Sequence, residues 1–153
     1  MNLANIFSMN NNHACEPPLV LVVEDNEDNL FLISYILESL GCRVIFPGVA
    51  SEATVFLAKE HHPDLILLDI VLPDISGIEI LQLLRQEPLI CDIPAIAVTA
   101  LATEQNRENI IRAGFNNYII KPYLVEELEE MVFPYIQGKL NSSSKYSVSQ
   151  EKL

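Results

Sequence analysis

Glu24 and Asp25 follow the apolar run Leu19–Val23, and Asp69 follows Leu65–Leu68. Thr99 and Ala100 come after Ala95–Val98, and Lys121 with Pro122 after Asn117–Ile120. If these runs lie side by side, three carboxylates, a hydroxyl and an ammonium converge. Carboxylates held together raise one another's proton affinity unless a cation sits among them. The ligands on offer are all oxygen, with no His or suitably spaced Cys beside them, which points to a hard divalent ion such as Mg²⁺ rather than zinc. Lys121 adds a compact charge able to pair with an oxyanion formed at Asp69, and Thr99 a hydroxyl that can donate to the same oxyanion. Each has a plain reading alone: a Lys before Pro belongs to a loop, a Thr near a strand reflects β propensity, and acids abound in an acidic chain. In combination, with Asp69 directly ending its run, they make a phosphoryl site.

The apolar runs alternate with stretches of helical period. Strands are predicted at Leu19–Val23, Arg43–Phe46, Leu65–Leu68, Ala95–Val98 and Asn117–Ile120; helices at Glu27–Leu40, Ser51–Lys59, Gly77–Gln86, Thr103–Ala113 and Val125–Ile136. Asn26 precedes the first helix, Gly41 and Gly114 follow the first and fourth, and Pro63 and Pro94 lead into strands. Several strands read as unbroken Val/Ile/Leu runs, as strands covered on both faces do. Five βα units with right-handed crossovers imply a doubly wound parallel sheet with helices on both sides. In such a sheet, chemistry gathers at the carboxyl ends of the strands, where the residues above fall.

The chain has 153 residues, 50% of them hydrophobic, and a formal net charge of −12. That length suits one domain rather than two. Residues 1–16, rich in Asn, and 138–153, rich in Ser, read as disordered tails around a domain at 17–137. Removing Glu16 and Glu151 from the acids, and Lys139, Lys145 and Lys152 from the bases, leaves 19 against 6, so the acidity belongs to the domain. Such a charge repels nucleic-acid backbones and anionic lipid, so the expected partners are proteins and metal cations. The first basic residue is Arg43, which excludes the positive flank of a secretory or transit signal. No apolar run approaches the roughly 20 residues that span a membrane. Cys15, Cys42 and Cys91 lack any CxxC spacing and read as inert, reduced thiols of a cytoplasmic protein.

Val-Glu24-Asp25-Asn-Glu-Asp-Asn, Leu-Leu-Asp69-Ile-Val-Leu-Pro73-Asp-Ile-Ser-Gly77, Val-Thr99-Ala100 and Tyr118-Ile-Ile-Lys121-Pro122 stand in that order. With them, almost the whole predicted domain resembles the receiver domain of two-component response regulators. The likeness is strongest to stand-alone receivers and to the receiver modules of hybrid kinases. It implies a flavodoxin-like (βα)5 fold in which Asp69 accepts a phosphoryl group from a phosphohistidine of a sensor histidine kinase or histidine phosphotransfer protein. It also implies Mg²⁺, or Mn²⁺ in its place, held by Asp25, Asp69 and the backbone carbonyl of Val71, with Glu24 reaching it through water. Ala100 leaves room for phosphate, Lys121 binds a phosphate oxygen, and the Lys121–Pro122 bond is expected to be cis. Thr99 and Tyr118 are the implied switch, the hydroxyl moving inward as Tyr118 turns into the vacated space and remodels a protein-binding face.

In the family, the residues two after the phosphoacceptor and two after the switch hydroxyl help position the water that hydrolyses the aspartyl phosphate. Here they are Val71 and Leu101, which cannot hold a water, so slow self-dephosphorylation is expected. On the first helix, Phe31 and Tyr35 project away from the sheet-facing Ile33, Ile36, Leu37 and Leu40 and form a candidate kinase-docking surface. His61 and His62 read as a solvated helix end, and Glu126, Glu127, Glu129 and Glu130 complement the dipole of the last helix. Too few residues follow position 137 for an output unit, so output is expected through a protein target. The chain is therefore read as a phosphoacceptor module and not an enzyme. A phosphate-independent interaction scaffold and an Mg²⁺-dependent aspartyl-phosphate hydrolase are the alternatives. The hydrolase is disfavoured because such enzymes carry a second Asp where Val71 stands.

Overall fold

The apolar runs form a five-stranded parallel sheet: β1 (Leu19–Val23), β2 (Arg43–Ile45), β3 (Leu65–Asp69), β4 (Ala95–Thr99) and β5 (Asn117–Ile120). The helices between and after them are α1 (Glu27–Ser39), α2 (Glu52–His61), α3 (Gly77–Arg85), α4 (Glu104–Ala113) and α5 (Val125–Ile136). This computed structural model describes residues 16–48 and 52–140. Strand order is β2-β1-β3-β4-β5. The chain therefore steps outward from β1 to β2, then back past β1 to β3, and the switch point opens between β1 and β3.

Every residue of β1, β3 and β4 is buried, because side chains alternate between two covered faces. Val20, Val22, Leu65, Leu67, Ile96 and Val98 pack under α1 and α5 with Ile33, Leu37, Leu128 and Val132. Leu21, Val23, Ile66, Leu68, Ala95 and Ala97 pack under the other three helices with Ala58, Ile80, Leu84 and Ile110. Both faces of the central strands are thus removed from water, which is why their sequences lack polar alternation.

Local punctuation sets the helix ends. The Asn26 side chain accepts from Asn29 N at 2.9 Å to cap α1, and Thr103 caps α4 through Asn106 N at 3.2 Å instead of lying within it. Gly114 closes α4 in the left-handed region at φ 108°, a conformation that costs a residue with Cβ. The α1 and α3 helices each end one residue before the expected Leu40 and Gln86, which serve as their C-caps. The α2 helix runs two residues past Lys59, to His61; its expected first residue, Ser51, is outside the described residues.

Three strand boundaries differ from the sequence reading. Both β3 and β4 run one residue further and take in Asp69 and Thr99, because their neighbours continue alongside: Asp69 pairs with Val98, and Thr99 with Ile120. The β2 strand stops at Ile45, the last residue paired with β1, and Phe46 is left 53% exposed.

The described chain also continues past α5 through a 3₁₀ turn, Gln137–Lys139. Leu140 packs against the α1/α5 core, and Lys139 Nζ pairs with Asp64 Oδ1 at 2.7 Å. The expected tails otherwise fall in 1–15 and 141–153, outside the described residues, as does Cys15. Cys42 is buried, and that burial, with the charge of Asp64, pushes its thiol up to about 12. It carries essentially no thiolate at neutral pH. Among the described residues no helix is long and apolar enough to cross a membrane.

Candidate functional site

Strand order places the ends of β1, β3, β4 and β5 in a row at one edge. Glu24 and Asp25 leave β1, Asp69 and Thr99 terminate β3 and β4, and Lys121 leaves β5. Carboxylate oxygens of Glu24, Asp25 and Asp69 all lie within 4.8 Å of one another. Asp69 is only 5% exposed, while Asp25 faces solvent.

Lys121 ties the group together. Its Nζ donates to Glu24 Oε2 at 2.9 Å and to Asp69 Oδ2 at 3.0 Å. The other Asp69 oxygen accepts from Val71 N at 3.0 Å, so both carboxylate oxygens are oriented. Glu24 Oε1 accepts from Asn26 N at 3.2 Å. Burial disfavours the charge on Lys121, but hydrogen bonds and attraction from Glu24 and Asp69 outweigh it, and the ammonium holds its proton more firmly than an ordinary lysine. Burial raises the proton affinity of Glu24; the Lys121 hydrogen bond opposes the rise, the Asp69 charge adds to it, and the net direction is up. One ammonium therefore leaves three clustered carboxylates under-neutralised, and an all-oxygen donor set of this kind fits a hard divalent cation.

Lys121 is positioned by its own backbone, whose N–H donates to Thr99 O at 2.7 Å, and the Lys121–Pro122 peptide is cis. Thr99 is fully buried, and its Oγ1 accepts from Leu101 N at 2.9 Å. Ala100 is exposed beside it. Tyr118 is half-buried on the sheet face that also carries Ala97, with the Arg107 guanidinium 6.0 Å from its ring centroid. The Val71 and Leu101 side chains are exposed to 56% and 36%. Next to the acids opens a cavity of about 390 Å³ lined by Glu24, Asp25, Leu30, Phe46, Pro73 and Asp74.

Phe31 and Tyr35 lie outside this constellation, 76% and 66% exposed, on the side of α1 opposite the buried Ile33, Ile36 and Leu37. His61 sits 3.8 Å from Glu60 at the exposed end of α2. Among the described residues, Glu24, Asp25 and Asp69 are the acids, His or Cys gathered closely enough to hold a metal. Glu126 and Glu127 occupy the first turn of α5, whereas Glu129 is turned inward and buried.

Two contributors were given no role at the site by the sequence reading. Gly77 opens α3, donates its N–H to Ile70 O at 2.9 Å, and packs so closely that a Cβ there would collide with the Asp69 carbonyl. Its sequence signals were a predicted helix start and its place at the end of the segment Leu-Leu-Asp69-Ile-Val-Leu-Pro73-Asp-Ile-Ser-Gly77. Tyr123, also beside the site, is half-buried, and burial raises its phenol, with Lys121 opposing and Glu24 adding to the rise.

Residues 20–133 match the family model of the response regulator receiver domain. The polar-differentiation response regulator DivK of Brucella ovis is 42% identical over 117 residues, which span 76% of this chain and 94% of that protein. The receiver domain of sensor histidine kinase PA1611 from Pseudomonas aeruginosa PAO1, solved with a magnesium ion coordinated in its active site cleft, is 34% identical. It superposes with a TM-score of 0.71 over 80% of this chain and 99% of that one. A CheY-like receiver domain protein from Methanospirillum hungatei JF-1 is 27% identical, with a TM-score of 0.71 over 81% of this chain and 97% of its own. These matches take in the strand ends that carry the acids, the hydroxyl and the lysine, and the chain belongs to the response regulator receiver domain family.

Proposed function

We propose that Asp69 accepts a phosphoryl group from the phosphohistidine of a partner sensor kinase or phosphotransfer protein, in an Mg²⁺-dependent reaction. We further propose that Thr99 and Tyr118 convert the event into a changed protein-binding surface. The observation that carries this reading is the buried Asp69 carboxylate, held between Lys121 Nζ at 3.0 Å and Val71 N at 3.0 Å beside two more acids.

An Asp69 oxygen attacks phosphorus, a P–O bond forms, the P–N bond to the imidazole breaks, and the leaving imidazole keeps the N–P electron pair. Asp25, Asp69 and the Val71 carbonyl would hold Mg²⁺ or Mn²⁺, with Glu24 reaching it through water. The ion supplies positive charge to the phosphoryl oxygens and relieves repulsion among the carboxylates. Lys121 stays charged and shifts from the Asp69 carboxylate to a phosphoryl oxygen; exposed Ala100 leaves space for that group. The Thr99 hydroxyl then donates to another phosphoryl oxygen, and Tyr118, on the same sheet face, follows into the space released. This chemistry suits the cytoplasm, where Cys42 and Cys91 remain free thiols.

Incubation with acetyl phosphate and Mg²⁺ is expected to add the mass of one phosphoryl group to the intact protein, and EDTA to abolish the gain. Equal gain with and without the chelator would remove the metal from the mechanism.

Apolar Val71 and Leu101 flank the site without a group that can hold a water, which supports slow loss of the phosphoryl group. The pair Val71→Asn and Leu101→Glu is expected to shorten its lifetime about tenfold, less than the roughly hundredfold minimum of general acid–base catalysis, because these side chains would only position the water. Decay of phosphoprotein mass after removal of the donor measures it; an unchanged half-life sinks this assignment.

Phe31 and Tyr35 are proposed to dock the donor protein, as exposed aromatics one turn apart on the helix that follows the acids. Phe31→Ala with Tyr35→Ala should slow phosphotransfer from a donor kinase while sparing the reaction with acetyl phosphate. Equal slowing of both would mean that the aromatics support the fold or the site instead.

A further inference from the structure

The ring of Tyr118 meets a charged group that lies outside the phosphoryl site. The guanidinium of Arg107, on α4, stands over it at 6.0 Å from the ring centroid. Ring and guanidinium line a surface depression of about 410 Å³ with Glu108, Ile111 and Arg112, and none of the clustered acids borders it. Tyr118 therefore points outward, along α4. Arg107 is placed there by its backbone, whose N–H donates at 3.0 Å to the carbonyl of Thr103, the cap of α4. Glu104 and Glu108 neighbour it on the helix, yet among the described residues no ion pair includes Arg107. Its charge is thus left to act on the ring.

Little else fixes that ring. Among the described residues no hydrogen bond holds the Tyr118 hydroxyl. Its neighbour on β4 is Ala97, which presents only a methyl group. Thr99 follows two residues along the same strand and so lies on the same face. We propose that Arg107 is a positioning residue that holds Tyr118 outward in the unphosphorylated protein and so opposes occupation of Asp69. The proposal rests on the phosphoryl reading above, in which the ring turns inward as the Thr99 hydroxyl moves. An inward turn carries the ring away from the guanidinium, so this attraction exists in one state only. A contact made in one state alone shifts the balance by its full differential strength. For an exposed cation over a ring, that strength corresponds to about two- to fivefold in an equilibrium constant. Coupling between sites is reciprocal, so what favours the outward ring weakens a phosphoryl-like ligand at Asp69 by the same factor.

Two variants of the full-length chain test this. Arg107→Gln removes the cation while keeping much of the side chain, and Arg107→Lys retains a cation; the position is exposed, so both should fold. The first readout is the χ1 populations of Tyr118 in the unphosphorylated protein, from NMR three-bond couplings. The inward population should rise about two- to fivefold in Arg107→Gln, with Arg107→Lys closer to wild type. The second is the equilibrium affinity for beryllium fluoride with Mg²⁺, a reversible mimic of the phosphoryl group on a carboxylate. It should tighten in Arg107→Gln by the same factor, since apparent affinity scales with the competent fraction. Unchanged Tyr118 populations would overturn the proposal, as would shifted populations with unchanged affinity, because the ring would then be uncoupled from Asp69. Equal effects of Gln and Lys would trace the change to lost packing and overturn it too. A wild-type protein that bound no beryllium fluoride would overturn the phosphoryl reading and this proposal with it, whereas wild-type binding that Arg107→Gln left unaltered would overturn the proposal alone.

Discussion

Asp69→Asn is expected to reduce phosphoryl incorporation from acetyl phosphate to background, a loss of at least roughly a thousandfold, on the scale seen when a nucleophile is removed. The carboxamide nearly preserves the volume of a side chain that is 5% exposed, so the fold should survive. Its oxygen can still accept from Val71 N, which now donates to Asp69 Oδ1 at 3.0 Å. The nucleophilic anion is lost, and with it one of the two anions that hold Lys121 Nζ; the other, Glu24 at 2.9 Å, remains. Intact mass followed over time, with a thermal melt to verify folding, distinguishes lost chemistry from lost structure. A folded Asp69→Asn protein that still gained a phosphoryl group would move the acceptor to a neighbour, with exposed Asp25 first in line. That outcome would overturn the reading of the whole edge.

Gly77→Ala should be the most damaging single methyl in the site's vicinity. An added Cβ would fall against the Asp69 carbonyl oxygen, with Asp69 C and Ile70 Cα each at 2.9 Å. All are backbone atoms of the segment carrying the phosphoacceptor, and no flexible side chain can yield. We expect a loss of about 3 kcal/mol, at the upper end of ordinary overpacking, and a fall in melting temperature of roughly 10 °C for a domain of this size. Gly138→Ala is the control, since nothing lies within 4 Å of its added Cβ. Denaturant melts of the two variants measure the contrast. Below its melting point, Gly77→Ala should also react more slowly with acetyl phosphate, because relief of the clash displaces Asp69 from Lys121. Equal stability of the two variants would show that the α3 terminus can retreat from Asp69 at little cost.

The local periodicities of the chain were sufficient for the order and number of βα units. Leu65–Leu68 and Ala95–Val98 read as doubly covered strands because burial on two faces admits no polar alternation, and the structure buries them throughout. The chemistry at the edge was legible for a related reason. In a parallel sheet every strand delivers its next residue to the same side, so acids, hydroxyl and lysine after successive strands must meet. Caps at Asn26 and Gly114 were readable because they act within a single turn.

Other features depend on partners far away along the chain. Asp69 and Thr99 belong to β3 and β4 because Val98 and Ile120 extend beside them; no property of either residue announces this. Lys121 reaches Asp69 across 52 residues and Glu24 across 97, and this contact orients the acceptor. The need for glycine at Gly77 arises from the approach of α3 to the Asp69 backbone. Leu140 escaped notice because one apolar residue after a 3₁₀ turn has no periodicity, yet it finds a place on the core. Residue order specifies what each strand end can offer, since side-chain chemistry and repeat period are local. Distances, orientation and charge balance are set by packing, since they are sums over neighbours that only the folded chain brings together.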